Sequence, residues 1–415
     1  MNQLKKNIFY LYLLQFSNYL VPLATLPYLS RVLGPDKFGQ IGFAQAIAQF
    51  FIMVVDFGFN YTIARKISIA KGNTDDINSI YWNVQLGRAV LLVFSVSLVL
   101  IASSFFDFLR ADRVFLSLSV LTILATFFTP IWLYQGLDIM PVVGRNALVW
   151  RVLGAASIFL LVKSPDDAWH AAFIQFGIPL VGGLALFLAG WRSRLFFYPG
   201  RDVSLANAWN LFKESLHVFS ASLLTVVFTT LNPVILRFIS GNAQVGYYVA
   251  SERLLSPLRQ LYTPLVQAYY PRICKYYADG DNSAARKNIL AVLAVFIVFG
   301  VLAVAGMWLL GPIVLPFLLG AEFSESADIA KVMILTQVVI GIAMVQANLV
   351  VIASGRQNSL KWIYAIAIML HLSYVYYFVS HWNGLGTAIA ALITETAITI
   401  MFAIYIKRMR MLTRS

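Results

Sequence analysis

The 415-residue chain is 60% hydrophobic and 12% charged, whereas an ordinary soluble domain is roughly 45–50% apolar. With a mean hydropathy of +0.76, a water-soluble globule is excluded. The net charge of +13 is scattered over short loops with no basic domain to gather it, which excludes a nucleic-acid-binding protein, and the single cysteine, Cys274, excludes an internal disulfide.

A bilayer core about 30 Å thick is crossed by about 20 mostly apolar residues in helix. Twelve stretches meet that requirement. The first, 8–30, is too long for a signal-peptide core and lacks a small-residue cleavage site, so it is expected to remain in the mature protein. Gln15, Asn18, Pro22 and Thr25 recur along it, and it runs into LGPDKFG at 33–39. There Pro27 loosens the helix end, Gly34 and Pro35 make a turn, and Gly39 lets the returning helix pack closely. The second stretch, 38–60, carries Gln45, Gln49 and Asp56. The third, 83–105, holds Arg88, and after the fourth, 114–137, the fifth, 146–163, holds Arg151. The sixth, 169–191, closes the first half.

In the second half the seventh stretch, 217–238, ends with Arg237. The eighth, 244–268, has the clearest polar face. Tyr248, Glu252, Ser256, Arg259 and Thr263 recur at helical spacing, with Arg253, Gln260 and Gln267 on a neighbouring stripe. The ninth, 289–319, contains Pro312 and Pro316 and is expected to break or to end in a short interfacial piece. Lys331 lies in the tenth, 328–353, His371 in the eleventh, 359–379, and Glu395 in the twelfth, 384–406.

Lys and Arg gather on the side of the N-terminus, at Lys5, Lys6, Arg65, Lys66, Lys71, Arg145, Arg192, Arg194, Arg201, Lys213, Arg272, Lys275, Arg286, Lys287, Arg356, Lys361, Lys407, Arg408, Arg410 and Arg414. The opposite side has Arg31, Lys37, Arg110, Arg113 and Lys163. Both termini are therefore expected in the cytoplasm.

The chain also echoes itself. LPYLSRVL at 26–33 aligns with NPVILRFI at 232–239, matching Pro27 and Arg31 with Pro233 and Arg237. One residue of slippage brings Gly39 in KFGQIGF onto Gly246 in QVGYYVA. Six spans separate the copies, so the repeat is parallel. The expected fold is an all-α polytopic membrane protein, with about twelve helices in two six-helix bundles at 1–205 and 206–415 related by a pseudo-two-fold along the membrane normal.

A charge near the bilayer centre costs at least about 2.5–3.5 kcal/mol, so in-span charges should face protein or water. Polar faces in both halves imply a hydrated cavity that leans cationic, suited to an anion; the guanidinium fork holds phosphate bidentately. Arg259, Arg253, Arg88, Arg151, Arg237 and Lys331 are the candidate ligand contacts. Glu252, Asp56 and Glu395 are the candidate ion-coupling acids, since a carboxyl group in such a cavity can exchange protons. Structural readings stand beside these. Arg88, Arg151 and Lys331 could snorkel to headgroups, Glu252 could pair with Arg259, Asp56 could pair with Arg65, and His371 reads as a packing residue. No metal-ligand spacing and no GxxxxGK[ST] loop occurs, so neither catalytic residues nor a cofactor are expected.

Residues 27–66, PYLSRVLGPDKFGQIGFAQAIAQFFIMVVDFGFNYTIARK, with WLYQGLDIM at 132–140 and NAQVGYYVASERLL at 242–255, resemble the lipid-linked oligosaccharide flippases that export O-antigen units. Those proteins form part of the polysaccharide transport branch of the multidrug, oligosaccharidyl-lipid and polysaccharide exporter superfamily. The resemblance implies a V-shaped transporter in the inner membrane of a Gram-negative bacterium. It would carry an undecaprenyl-diphosphate-linked glycan from the cytoplasmic to the periplasmic leaflet by alternating access coupled to an H+ or Na+ gradient. Its implied partners are the bilayer, that lipid-linked glycan, and the polymerase and chain-length proteins of the same pathway. Two other classes are weighed against it. A membrane polymerase or glycosyltransferase of the pathway would need large external loops, which are absent here. A cation-coupled drug exporter would favour an acid in the first span, where this chain has Gln15 and Asn18.

Overall fold

The computed structural model describes residues 2–200, 202–356 and 358–409, with side chains from residue 21 onward except at 221, 222, 224–229 and 358. The side chains of Lys5, Lys6, Gln15 and Asn18 lie outside that description. Among the described residues every regular element is helical and no strand occurs. Helices suit this composition, because in lipid each backbone polar group must find its partner within its own segment.

In chain order the helices are α1 (Asn2–Asp56), α2 (Phe59–Ile69), α3 (Thr74–Phe105), α4 (Arg113–Phe128), α5 (Ile131–Gly136), α6 (Met140–Leu161) and α7 (Ala168–Arg192). Then come α8 (Leu205–Ser240), α9 (Asn242–Ala278), α10 (Asn282–Leu319), α11 (Glu325–Val345) and α12 (Asn358–Arg408). Two runs are broken internally: α1 at Gly34, with φ 68, and α12 at Asn383, with φ 50. Each therefore carries two of the apolar stretches. Eight described helical runs are long and apolar enough to cross a membrane. α9 is not one of them, because its polar stripe dilutes its hydropathy. The expected break at Pro312 and Pro316 does not occur; α10 runs unbroken through both. A proline removes one ladder bond, which a long apolar helix tolerates when neighbours re-satisfy the carbonyl.

The chain divides into two units, one of Met1–Leu33 with Gln40–Val234, the other of Gly34–Gly39 with Ile235–Ser415. The division falls inside α8, later than the 205/206 boundary expected from the sequence. The start of α8 is tied into the first unit: Lys66 pairs with Glu214 at 2.8 Å, Thr62 bonds Ser215 at 2.6 Å, and the Phe212 ring meets Phe57 and Phe59.

The first unit centres on aromatic side chains from the stretches DFGF and WLYQG. Trp132, Leu133 and Phe59 are fully buried, and Tyr81 stacks on Phe196 at 4.0 Å. Asn78 pins the connection that follows α7 by donating to the Tyr198 carbonyl at 3.0 Å and accepting from the Phe197 N–H at 2.9 Å.

In the second unit, Gly34–Gly39 packs backbone to backbone on the start of α9. A Cβ added to Gly39 would overlap the Asn242 carbonyl oxygen, and one added to Gly246 would overlap the Pro35 carbonyl. The two glycines matched by the sequence echo thus face each other's turns. Phe38 seals the contact edge-on against Phe323 at 5.9 Å. Farther along, Tyr262, Phe296, Val345, Leu349, Val350 and Phe402 belong to a core shared by α9, α10, α11, α12 and the π-helical turn at Gln346–Ile352.

Candidate functional site

The polar stripe of α9 positions the first candidate. Arg259 is half-buried, and its Nε donates to the Oε1 of Gln337 on α11 at 3.1 Å. Its four Nη hydrogens have no hydrogen-bond acceptor among the described residues. Glu252, on α9, and Glu395, on α12, both lie within its electrostatic reach. Neither forms a direct ion pair with it among the described residues. Glu252 stands two turns away, about 10 Å along the axis, which is too far for the direct pair weighed from the sequence. Three helices of the second unit therefore bring one guanidinium and two carboxyl groups together, with only one edge of the guanidinium committed to protein.

The first unit treats its buried arginine differently. The Arg88 side chain is 0% exposed. Its Nη2 bonds the Asp56 carboxylate at 3.0 Å and the Thr126 carbonyl at 2.7 Å. Its Nη1 donates to Gln85 Oε1 at 3.0 Å and to the Phe127 carbonyl at 3.4 Å, and its Nε donates to the Val55 carbonyl at 3.4 Å. All five N–H groups of a guanidinium are thereby used. Val55 lies in the last turn of α1 and Thr126 and Phe127 in the last turn of α4, so Arg88 ties two helix C-termini together; the Thr126 carbonyl also accepts from the Thr129 N–H at 3.1 Å, and the Phe127 carbonyl from Gln85 Nε2 at 3.1 Å. All its donors are engaged by protein, so a phosphate at Arg88 would have to displace a bond already made. Its complete burial rules out snorkelling. Asp56 is engaged in the same clamp and pairs with Arg88, not with Arg65.

The other candidates are dispersed. Arg253 lies 5.1 Å from the Phe38 ring centroid in a cation–π contact, at the seam between Gly34–Gly39 and α9. Arg151 is exposed on α6 beside exposed Val149, Val152 and Leu153. Arg237 is half-buried in the last turn of α8. Lys331 pairs with Asp328 one turn away at 2.8 Å, in the second turn of α11. His371 is buried, with Nδ1 at 2.8 Å from Thr394 Oγ1, as befits a packing residue.

Two residues of these networks escape a reading of the sequence. Gln85 and Gln337, 3% and 4% exposed, each accept from an arginine. For Gln337 the available signal is its setting: a glutamine amid VMILT and VVIGI is costly to bury unless bonded.

Comparison with known proteins sets these findings in a family. The profile described as "Polysaccharide biosynthesis protein" matches residues 4–277. A protein of Escherichia coli (strain K12) named "Putative O-antigen transporter" is 27% identical over 423 residues, covering 99% of this chain and 98% of that protein. A protein of the same name from Shigella dysenteriae is 28% identical over 402 residues, covering 96% and 98%. Among solved structures, the lipid II flippase MurJ in an inward closed conformation superposes with a TM-score of 0.75 at 14% identity, over 96% of this chain and 87% of that one. An inward-facing multidrug resistance MATE family transporter of the MOP superfamily gives 0.67 at 15% identity, over 94% of each.

Proposed function

The chain belongs to the polysaccharide biosynthesis protein family, and from that membership we propose that it is a flippase for a lipid-linked oligosaccharide. In this reading it moves an undecaprenyl-diphosphate-linked glycan, an O-antigen repeat unit, from the cytoplasmic to the periplasmic leaflet of a bacterial inner membrane. It does so by alternating access coupled to an ion, with both termini in the cytoplasm. The relatives named as O-antigen transporters over almost their whole length support the substrate class.

The observation that carries the reading is the uncommitted fork of Arg259. Guanidinium binds phosphate best through two parallel N–H bonds, and here the two Nη groups are the part left without a protein acceptor. Glu252 and Glu395, within its electrostatic reach, are the acids we assign to ion coupling. A diphosphate and the carboxylates compete for one cation, so proton or Na+ occupancy of the acids and lipid binding at Arg259 are linked.

Arg259→Gln tests this in proteoliposomes loaded with the lipid-linked oligosaccharide. Translocation is expected to be lost while the protein inserts at normal abundance. Recovery of translocation in the double variant Arg259→Gln with Glu252→Gln would sink the reading, because it would make the two residues a helix clamp.

A further inference from the structure

The sole hydrogen bond that Arg259 makes among the described residues comes from a residue with no obvious reason to be polar. Gln337 sits in an apolar run of α11 and is 4% exposed. Its Oε1 accepts from Arg259 Nε at 3.1 Å across 78 residues of chain. The seam between α9 and α11 is built to hold these two groups in register. Ser251 Oγ donates to the Ser326 carbonyl at 3.0 Å, and Ser326 Oγ donates to the Tyr247 carbonyl at 3.1 Å. Beyond the pair, Gly341 lies against Tyr262, where a Cβ would stand 3.1 Å from the ring. The successive contacts Ser251 with Ser326, Arg259 with Gln337, and Tyr262 with Gly341 advance together along both helices.

The guanidinium is planar, so a bond at Nε sets both the plane and the heading of the Nη fork. An arginine without that bond loses rotamer entropy when a ligand arrests it. The geometry points to Gln337 as a positioning residue, which holds Arg259 so that its two Nη groups meet a polyprenyl diphosphate as a preformed bidentate fork. This rests on the reading of Arg259 as the phosphate contact. Gln337 touches no substrate itself. It acts by lowering the ordering cost of binding, as preorganisation does generally.

The test measures binding of undecaprenyl diphosphate to the full chain in nanodiscs, together with abundance and thermal midpoint. Gln337→Met keeps the volume and removes the acceptor. The dissociation constant is expected to rise about tenfold, the factor produced by about 1.4 kcal/mol, while abundance and midpoint hold. In an Arg259→Lys background, where no Nε–H exists, Gln337→Met should add nothing. Equal weakening in both backgrounds, or an unchanged dissociation constant in the Arg259 protein, overturns the assignment. Gln337→Leu stands in should the methionine variant not accumulate, and failure of both makes Gln337 a packing residue and likewise overturns it. Arg259→Gln, measured in parallel, separates the two ideas. If it abolishes binding and Gln337→Met does not weaken it, only the positioning role falls. If it leaves binding intact, the phosphate contact falls and takes the positioning role with it.

Discussion

Arg88 and Arg259 each face a glutamine oxygen in the interior of a helical unit, yet they are supplied with very different surroundings. Around Arg88 the first unit gathers a carboxylate, a glutamine and three helix-terminal carbonyls, one acceptor for every donor. Around Arg259 the second unit supplies one glutamine oxygen and keeps two carboxyl groups at longer range. A fully matched guanidinium is part of the scaffold, because any ligand would have to displace a bond already made. A partly matched one keeps donors open to a ligand, and on that ground Arg259 is proposed as the contact. Donor accounting thus distinguishes the two arginines where charge alone does not.

The contrast can be broken most forcefully at Arg88. Removing one partner of a buried ion pair costs about 3–5 kcal/mol, so Arg88→Met should sharply lower abundance and the thermal midpoint in detergent. Adding Asp56→Leu should recover part of the loss by deleting the stranded carboxylate. A stable, inactive Arg88→Met protein would mean that this arginine also serves transport, and the contrast would collapse. A smaller effect is expected at the other arginine. Arg259→Lys keeps the charge but loses the fork, and translocation should fall about tenfold with the melting midpoint unchanged. A shifted midpoint there would place Arg259 in the scaffold as well.

The smallest effect concerns a charge satisfied outside the spans. The Asp167 carboxyl is held below its ordinary value by the backbone N–H groups of Lys163 and Ser164, and Ser164 Oγ and His170 add to them. Because its folded-state pKa is depressed, its contribution is present above the ordinary carboxylate range near 3.8 and fades as pH falls through the folded value. Asp167→Asn should therefore lower the midpoint slightly at neutral pH and erase part of its fall in acid. An unchanged acid profile would remove Asp167 from the groups that fix that turn.

Much of the helical frame is legible in the sequence, because hydropathy over about 20 residues is a local property. The polar stripe of α9 is legible for the same reason, and Arg259 and Glu252 stand out on it by spacing alone. What joins them to Glu395 and Gln337 is not local. Those contacts depend on how α9, α11 and α12 pack, and a lone glutamine in an apolar run carries no periodic signal. Arg88 misleads for a related reason. Three of its five acceptors are backbone carbonyls in the last turns of α1 and α4, and helix ends are less sharply written in sequence than helix interiors. The prolines of α10 overstate a break that a long helix absorbs.

The close fit of Gly39 and Gly246 carries a lesson about how such a chain is made. Six residues of the second unit, Gly34–Gly39, are synthesised early, whereas the helix they lie against begins at Asn242. At about 5–20 residues per second, a ribosome needs roughly 10–40 s to extend the chain by the intervening length. For that interval the first hairpin's tip waits in the membrane without its docking partner, and the insertion machinery must tolerate it in that state. Expressing the two halves as separate polypeptides leaves the later one short of a piece of itself. Assembly of the second unit then becomes a meeting of two chains, and its yield depends on their concentration.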